Sequence, residues 1–143
     1  MGLLNKVLNV FYPPRCIFCR SVLSYDSEIN ICGRCNEELP YARMEFLRTG
    51  EEGEENYCDR AISVFRYTGI VKDSLIRFKF YASPSHYRTF AKLMAKRFLE
   101  MAETGDYDMI VSVPLHKQKE YARGYNQARL ISKALSRELK LPE

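Results

Sequence analysis

Cys16-Ile17-Phe18-Cys19 and Cys32-Gly33-Arg34-Cys35 are two Cys-x-x-Cys turns separated by twelve residues. No other feature constrains the fold as much. Each turn can place two thiolates on adjacent corners of a tetrahedron, so the two together close a four-thiolate site. Zinc suits it, because four soft ligands with no redox demand match a closed-shell ion, and Gly33 eases the second turn. Arg20 and Arg34 adjoin the ligands and can offset the negative charge of a zinc ion held by four thiolates. The alternatives are redox dithiols or simply buried cysteines. A thioredoxin-like dithiol sits beside a βαβ pattern, which residues 1–40 lack, although the separation is somewhat short for a ribbon of this type. The expected ion is structural, since four protein ligands leave no position open for water. Cys58 is the leftover thiol, readable as a small buried hydrophobe or as an occasional fifth ligand.

The rest of the chain is organised around that module. Leu3, Leu4, Val7, Leu8 and Phe11 share one face of a short helix that Pro13-Pro14 ends. Residues 48–59 form an acidic loop dividing a helix-plus-ribbon unit, 1–47, from a second unit, 60–143. The second unit opens with an alternating β-branched and aromatic run, Arg60–Thr68, which predicts a strand ended at Gly69. Val71, Leu75 and Phe78, with Ile76 and Phe80 beside them, predict a helix over 70–81. A second helix is expected from Pro84 until Gly105, through Phe90, Leu93, Met94, Phe98 and Met101. Asp108–Leu115 has the pattern of a buried parallel strand, and Asn126–Leu139 that of a helix. The fold class expected is therefore α/β, with an incomplete sheet: two strands alone leave backbone edges unpaired. The longest apolar runs are a few residues, far below a membrane span, and no signal-peptide pattern opens the chain, so the expected location is cytoplasmic.

Charge is segregated. The chain carries a formal +4, but residues 64–99 hold eight basic residues and one acidic, while 26–60 hold four basic and ten acidic. Aromatics interleave with the basic block at Arg66-Tyr67, Arg77-Phe78-Lys79-Phe80-Tyr81 and His86-Tyr87-Arg88. Phosphate contact with base stacking calls for that mixture, which makes Arg66, Arg77, Lys79, Tyr81, Arg88 and Lys92 candidates for nucleic-acid binding. A solvated helix surface would look similar, and Phe78 and Phe80 are expected in the core. The loop after Pro114 holds His116, Lys117, Lys119 and Arg123, and Gly124 permits a close backbone approach just before a helix, an arrangement suited to phosphate or pyrophosphate. An ordinary βα loop with solvated lysines fits the same residues.

The two Cys-x-x-Cys turns, Tyr67-Thr-Gly69 leading to Leu75-Ile-x-x-Phe-Lys79-Phe, Val113-Pro-Leu-His116 and Arg123-Gly-Tyr-Asn-Gln127 closely resemble the competence protein F (ComF) family, and in the same order. The resemblance implies a four-cysteine zinc ribbon followed by a type I phosphoribosyltransferase-like domain, linked to uptake of single-stranded DNA. It also implies a pyrophosphate loop at Pro114, Leu115, His116, Lys117 and Lys119, with Arg123, Gly124, Asn126 and Gln127 completing the motif. Members continue into an Asp-Asp strand and a Thr-Thr-Gly element for phosphoribosyl pyrophosphate. Neither occurs in these 143 residues, and Lys117-Gln-Lys119 replaces the more usual Pro-Lys-Arg-like stretch. The chain is accordingly expected to be an amino-terminal fragment, with no catalytic residue assigned and no phosphoribosyl transfer on its own. Mg2+ and phosphoribosyl pyrophosphate are expected only with a complementary carboxyl-terminal chain. Single-stranded DNA and a competence helicase are the other partners the resemblance implies. The competing expectation is a non-catalytic zinc-ribbon module that binds single-stranded DNA.

Overall fold

The computed structural model describes residues 12–24, 26–43, 61–81 and 83–143. The helix expected over 3–11, the acidic loop and Cys58 lie outside them. Five α-helices run through the described chain: α1 Gly33–Glu38, α2 Gly69–Phe80, α3 His86–Leu99, α4 Lys117–Arg123 and α5 Gln127–Leu139, with a short 3-10 turn at Thr104–Asp106.

Helix α1 grows directly out of the second cysteine turn and stops at Leu39, before Pro40. Helix α2 begins at Gly69, whose φ of +46 lies in the left-handed region, and carries Arg77 and Lys79 in its last turn, where cations face the negative end of the helix dipole. Helix α3 ends at Leu99, short of the expected Gly105. Both Met101 and Ala102 turn their N–H groups back to the Phe98 carbonyl at 2.9 Å, and the Tyr107 ring packs edge-on against Phe98 at 5.1 Å, so the chain reverses early. Helices α3 and α5 make the main helix–helix contact.

The expected strands are the principal departure. Around 61–68 the chain makes a single antiparallel bridge, Tyr41 to Phe65, flanked by Ala42 N–H to Val64 O at 3.1 Å and Arg66 N–H to Pro40 O at 2.8 Å. This segment therefore clasps the exit from α1 instead of entering a parallel sheet. Residues 108–115 form no ladder; Ile110 N–H donates to Pro142 O at 2.8 Å, and Met109, Val111 and Val113 are 60%, 76% and 79% exposed. Alternation and β-branching dictate local extension, but burial needs a neighbouring strand, and none lies alongside among the described residues. What the structure holds is a four-cysteine ribbon on a mostly helical body.

One core joins ribbon and helices. Ile17 and Phe18, from inside the first cysteine turn, pack with Val71 and Phe78 of α2 and Phe90 and Leu93 of α3. Phe18 meets Phe65 and Phe90 edge-on at 6.3 and 6.1 Å, and Phe78 lies 5.7 Å from Phe90. Phe80, expected in this core, is instead 63% exposed, because two residues on from Phe78 it points away from the buried Val71, Ser74 and Phe78 face of α2.

Candidate metal centre and nucleic-acid interface

The four ribbon thiols converge: the Sγ atoms of Cys16, Cys19, Cys32 and Cys35 all lie within 4.8 Å of one another, and Cys19 and Cys32 are 3.6 Å apart. Tetrahedral zinc with Zn–S bonds of about 2.3 Å requires sulfur–sulfur edges of about 3.8 Å, so the set fits the ion closely. The local chemistry is graded. The Ser21 side chain and backbone draw the Cys19 thiol down to about 6, and the Cys35 backbone lowers Cys32, whereas burial pushes Cys35 up. The outer thiols ionise readily, and a divalent cation is what makes ionising the inner one favourable. Cys19 beside it raises the Arg34 guanidinium, so Arg34 keeps a cation near the thiolates. Arg20 holds the turn with its N–H on the Cys16 carbonyl at 2.9 Å, in a left-handed conformation at φ +67.

Arg77 ties this centre to the helices. Its Nη2 donates to the carbonyls of Ile17 and Phe18, at 2.7 and 2.8 Å, inside the first cysteine turn. A residue expected to contact nucleic acid is thus engaged internally.

The Arg123–Gln127 motif is a joint between two helices, and each residue has a mechanical role. Gly124, at φ +77, closes α4 in the left-handed conformation that glycine adopts without strain. Asn126 caps α5 by accepting the Arg129 N–H at 3.2 Å. Tyr125 places its ring 5.9 Å from that of Phe78 and donates its hydroxyl to the Phe78 carbonyl. Gln127 is buried and accepts from Arg123 at 2.9 Å, and the Arg123 guanidinium lies over the Phe80 ring at 4.9 Å. His116 caps α4, its Nδ1 accepting from the Gln118 N–H at 3.3 Å. Pro114, Lys117 and Lys119 are exposed and Leu115 is half-buried.

The joint brings together residues from two separate candidate sets. Lys79, from the basic block, and Lys119 and Arg123, from the phosphate-loop set, line one surface cleft of about 390 Å³ with Phe80 at its wall. Tyr81 and Tyr121, on the same two helix ends, are 69% and 93% exposed. Neither Phe80 nor Tyr121 was singled out from sequence as a contact residue; Lys and Tyr flanking Phe80 was the only available signal. The other candidates do not join them. Lys92 faces Glu28 at 3.7 Å, the Arg88 Nε donates to the Tyr87 hydroxyl at 3.1 Å, and Arg66 is exposed beside the Tyr41–Phe65 bridge.

A closed tetrahedral set of four cysteines on two short turns defines a zinc-ribbon protein. A family model described as Double zinc ribbon domain matches residues 7–62. Over most of its length the chain is similar to competence proteins. It is 29% identical to Competence protein F of Haemophilus influenzae, across 92% of this chain and 63% of that protein. It is 32% identical to Competence protein ComFC of Bacillus subtilis, across 85% of this chain and 51% of that one. The chain thus spans between about half and under two thirds of these relatives. No solved structure matches it. No helix among the described residues is long and apolar enough to cross a membrane.

Proposed function

We propose that this chain is a competence-type zinc-ribbon protein that binds single-stranded DNA at the junction of α2 and α4. The observation that carries the reading is the Lys79, Phe80, Lys119 and Arg123 cleft, where cations from two distant sequence segments surround an exposed aromatic ring. Cations contact successive phosphates while rings stack on unpaired bases, and base stacking is worth about 1–3 kcal/mol per base. Zinc holds the ribbon, and Arg77 and the shared core pass that rigidity to α2.

The test is an anisotropy titration of a thymidine 20-mer against the zinc-loaded protein. Lys79→Glu with Lys119→Glu should weaken binding by roughly tenfold or more, and Phe80→Ala severalfold, while Arg88→Glu changes little. Unchanged affinity in the Lys79/Lys119 pair removes this surface from consideration.

A phosphoribosyltransferase-like reading of residues 60–143 rests on the family resemblance and on the solvent-facing loop at Lys117 and Lys119. The 143 residues contain no Asp-Asp pair. Transfer chemistry is accordingly not proposed for this chain alone, and calorimetry with phosphoribosyl pyrophosphate and Mg2+ should show no micromolar binding.

A further inference from the structure

A second cleft, of about 930 Å³, opens between the first cysteine turn of the ribbon and the ends of α2 and α3. Its walls include three guanidinium-bearing residues, Arg15, Arg20 and Arg77, together with the rings of Tyr12, Tyr81 and His86, and no Asp or Glu among the described residues. None of the three arginines is in an ion pair among the described residues, whose pairs are Lys92–Glu28 and Arg97–Glu100. Three like charges gathered on one concave surface repel one another, and an anion relieves that repulsion. Two polar atoms in the wall, Arg77 Nε and His86 Nδ1, are buried without a hydrogen-bond partner.

Arg20 adds an independent sign. Its left-handed backbone, φ +67, is one that glycine occupies freely and arginine at a cost. The residue adjoins the ligand Cys19 and also lines this cleft, where its guanidinium can meet a bound anion. Arg15 leans the same way, its Nη1 reaching the Arg20 carbonyl at 3.4 Å. The ring faces are equally available, since Tyr12 and Tyr81 are 81% and 69% exposed.

We propose that this cleft binds the phosphate of a nucleotide, with Arg15 and Arg20 on the phosphate and the tyrosine and histidine rings against the base. Its volume is within the range of pockets that enclose small ligands. The site is separate from the α2–α4 surface and does not depend on the DNA-binding reading. The nucleotide can be free or part of a strand, and the two sources share the same recognition.

The experiment titrates the zinc-loaded full chain with deoxyadenosine 5′-monophosphate, with deoxyadenosine, and with a thymidine 20-mer, by calorimetry. Wild type is compared with Arg15→Ala/Arg20→Gly and with Lys79→Glu/Lys119→Glu. The monophosphate should bind saturably and the nucleoside at least about tenfold more weakly, because charge-assisted bonds to phosphate are the stronger ones. The Arg15/Arg20 variant should lose about tenfold in monophosphate affinity while its Tm stays level or rises, since Arg20→Gly removes the backbone strain. A merely structural role for these arginines would lower Tm instead. The Lys79/Lys119 variant should leave monophosphate binding intact, so failure of the DNA reading and failure of this one are distinguishable. If only the 20-mer binds, and the Arg15/Arg20 variant weakens it, the phosphate site stands and its source is the strand. Absence of saturable binding by either ligand, or binding that the Arg15/Arg20 variant leaves unchanged, overturns the proposal.

Discussion

Replacing Arg77 by alanine should cost about 3 kcal/mol of stability, and the loss should depend on zinc. The guanidinium makes two short bonds, 2.7 and 2.8 Å, to the carbonyls of Ile17 and Phe18, residues that are only 2% and 3% exposed. A hydrogen bond to a charged group contributes about 1.5–3 kcal/mol, and a buried acceptor left unpaired costs about 1–3 kcal/mol. The cleft beside Arg77 admits water, which can restore one of the carbonyls, so the sum is nearer the lower end of that range than the upper. With a urea m value of about 2 kcal/mol/M, the midpoint should fall by about 1.5 M. Arg77→Lys retains the charge but not the forked geometry, and should recover no more than about half. The bonds end inside the first cysteine turn, which the metal organises, so after chelation the wild-type and alanine proteins should differ by less than about 1 kcal/mol. Urea titrations of both proteins, with zinc and with chelator, form the complete cycle. A loss below about 0.5 kcal/mol in the zinc-loaded protein, or an equal loss in both conditions, would refute the coupling of ribbon to helix through this side chain.

Cys19→Ser should reduce bound zinc from one ion per chain to well under half and loosen the ribbon, while Cys58→Ser keeps the metal; elemental analysis of the purified variants decides both. His86 supplies a pH dependence. Burial, and then the Arg77 charge, lower its imidazole below the ordinary 6.5, so as pH falls the unfolded chain takes up the proton first. The contribution is therefore complete above about 6.5 and declines as pH drops below it. His86→Phe, which keeps a ring against Phe78, should flatten that slope, and identical pH–stability profiles for wild type and variant would exclude it.

How much could be read from the chain depended on whether a feature is local. The ribbon is local: two turns and their spacing carry the metal geometry, and the thiols converge accordingly. Helices α2, α3 and α5 follow from apolar periodicity, and the ends of α4 and α5 from Gly124 and Asn126, whose conformational and capping preferences are their own. Helix α4 itself has no such period, since Lys117–Arg123 is almost wholly polar and no side chain in it is buried. The strands failed for a different reason. Val111 and Val113 have strand-forming side chains, but a strand is a relation between two segments, and the second is absent from the described residues. Phe80 failed because, two residues on from Phe78, it points away from the buried Val71, Ser74 and Phe78 face of α2.

The basic block shows the same limit for charge. Of its eight cations, Arg77 serves the ribbon carbonyls and Lys92 faces Glu28. Arg97 is held by Glu100 and by the Ala42 carbonyl, both at 2.9 Å, and lies over the Tyr41 ring. Counting charge along the chain therefore overstates the surface free for a polyanion and misplaces it. The cations gathered at an exposed ring are Lys79 of α2 and Lys119 and Arg123 of α4, which the Arg123–Gln127 joint brings beside Phe80. The two views differ measurably in salt dependence. Each neutralised phosphate of a single strand contributes about −0.7 to the slope of log K against log salt, so eight contacts predict a slope near −6 and three a slope near −2. A slope near −2 that flattens in Lys79→Glu/Lys119→Glu assigns binding to the helix junction, whereas a slope near −6 returns it to the whole block and means that the internal arginines exchange their protein partners for phosphate.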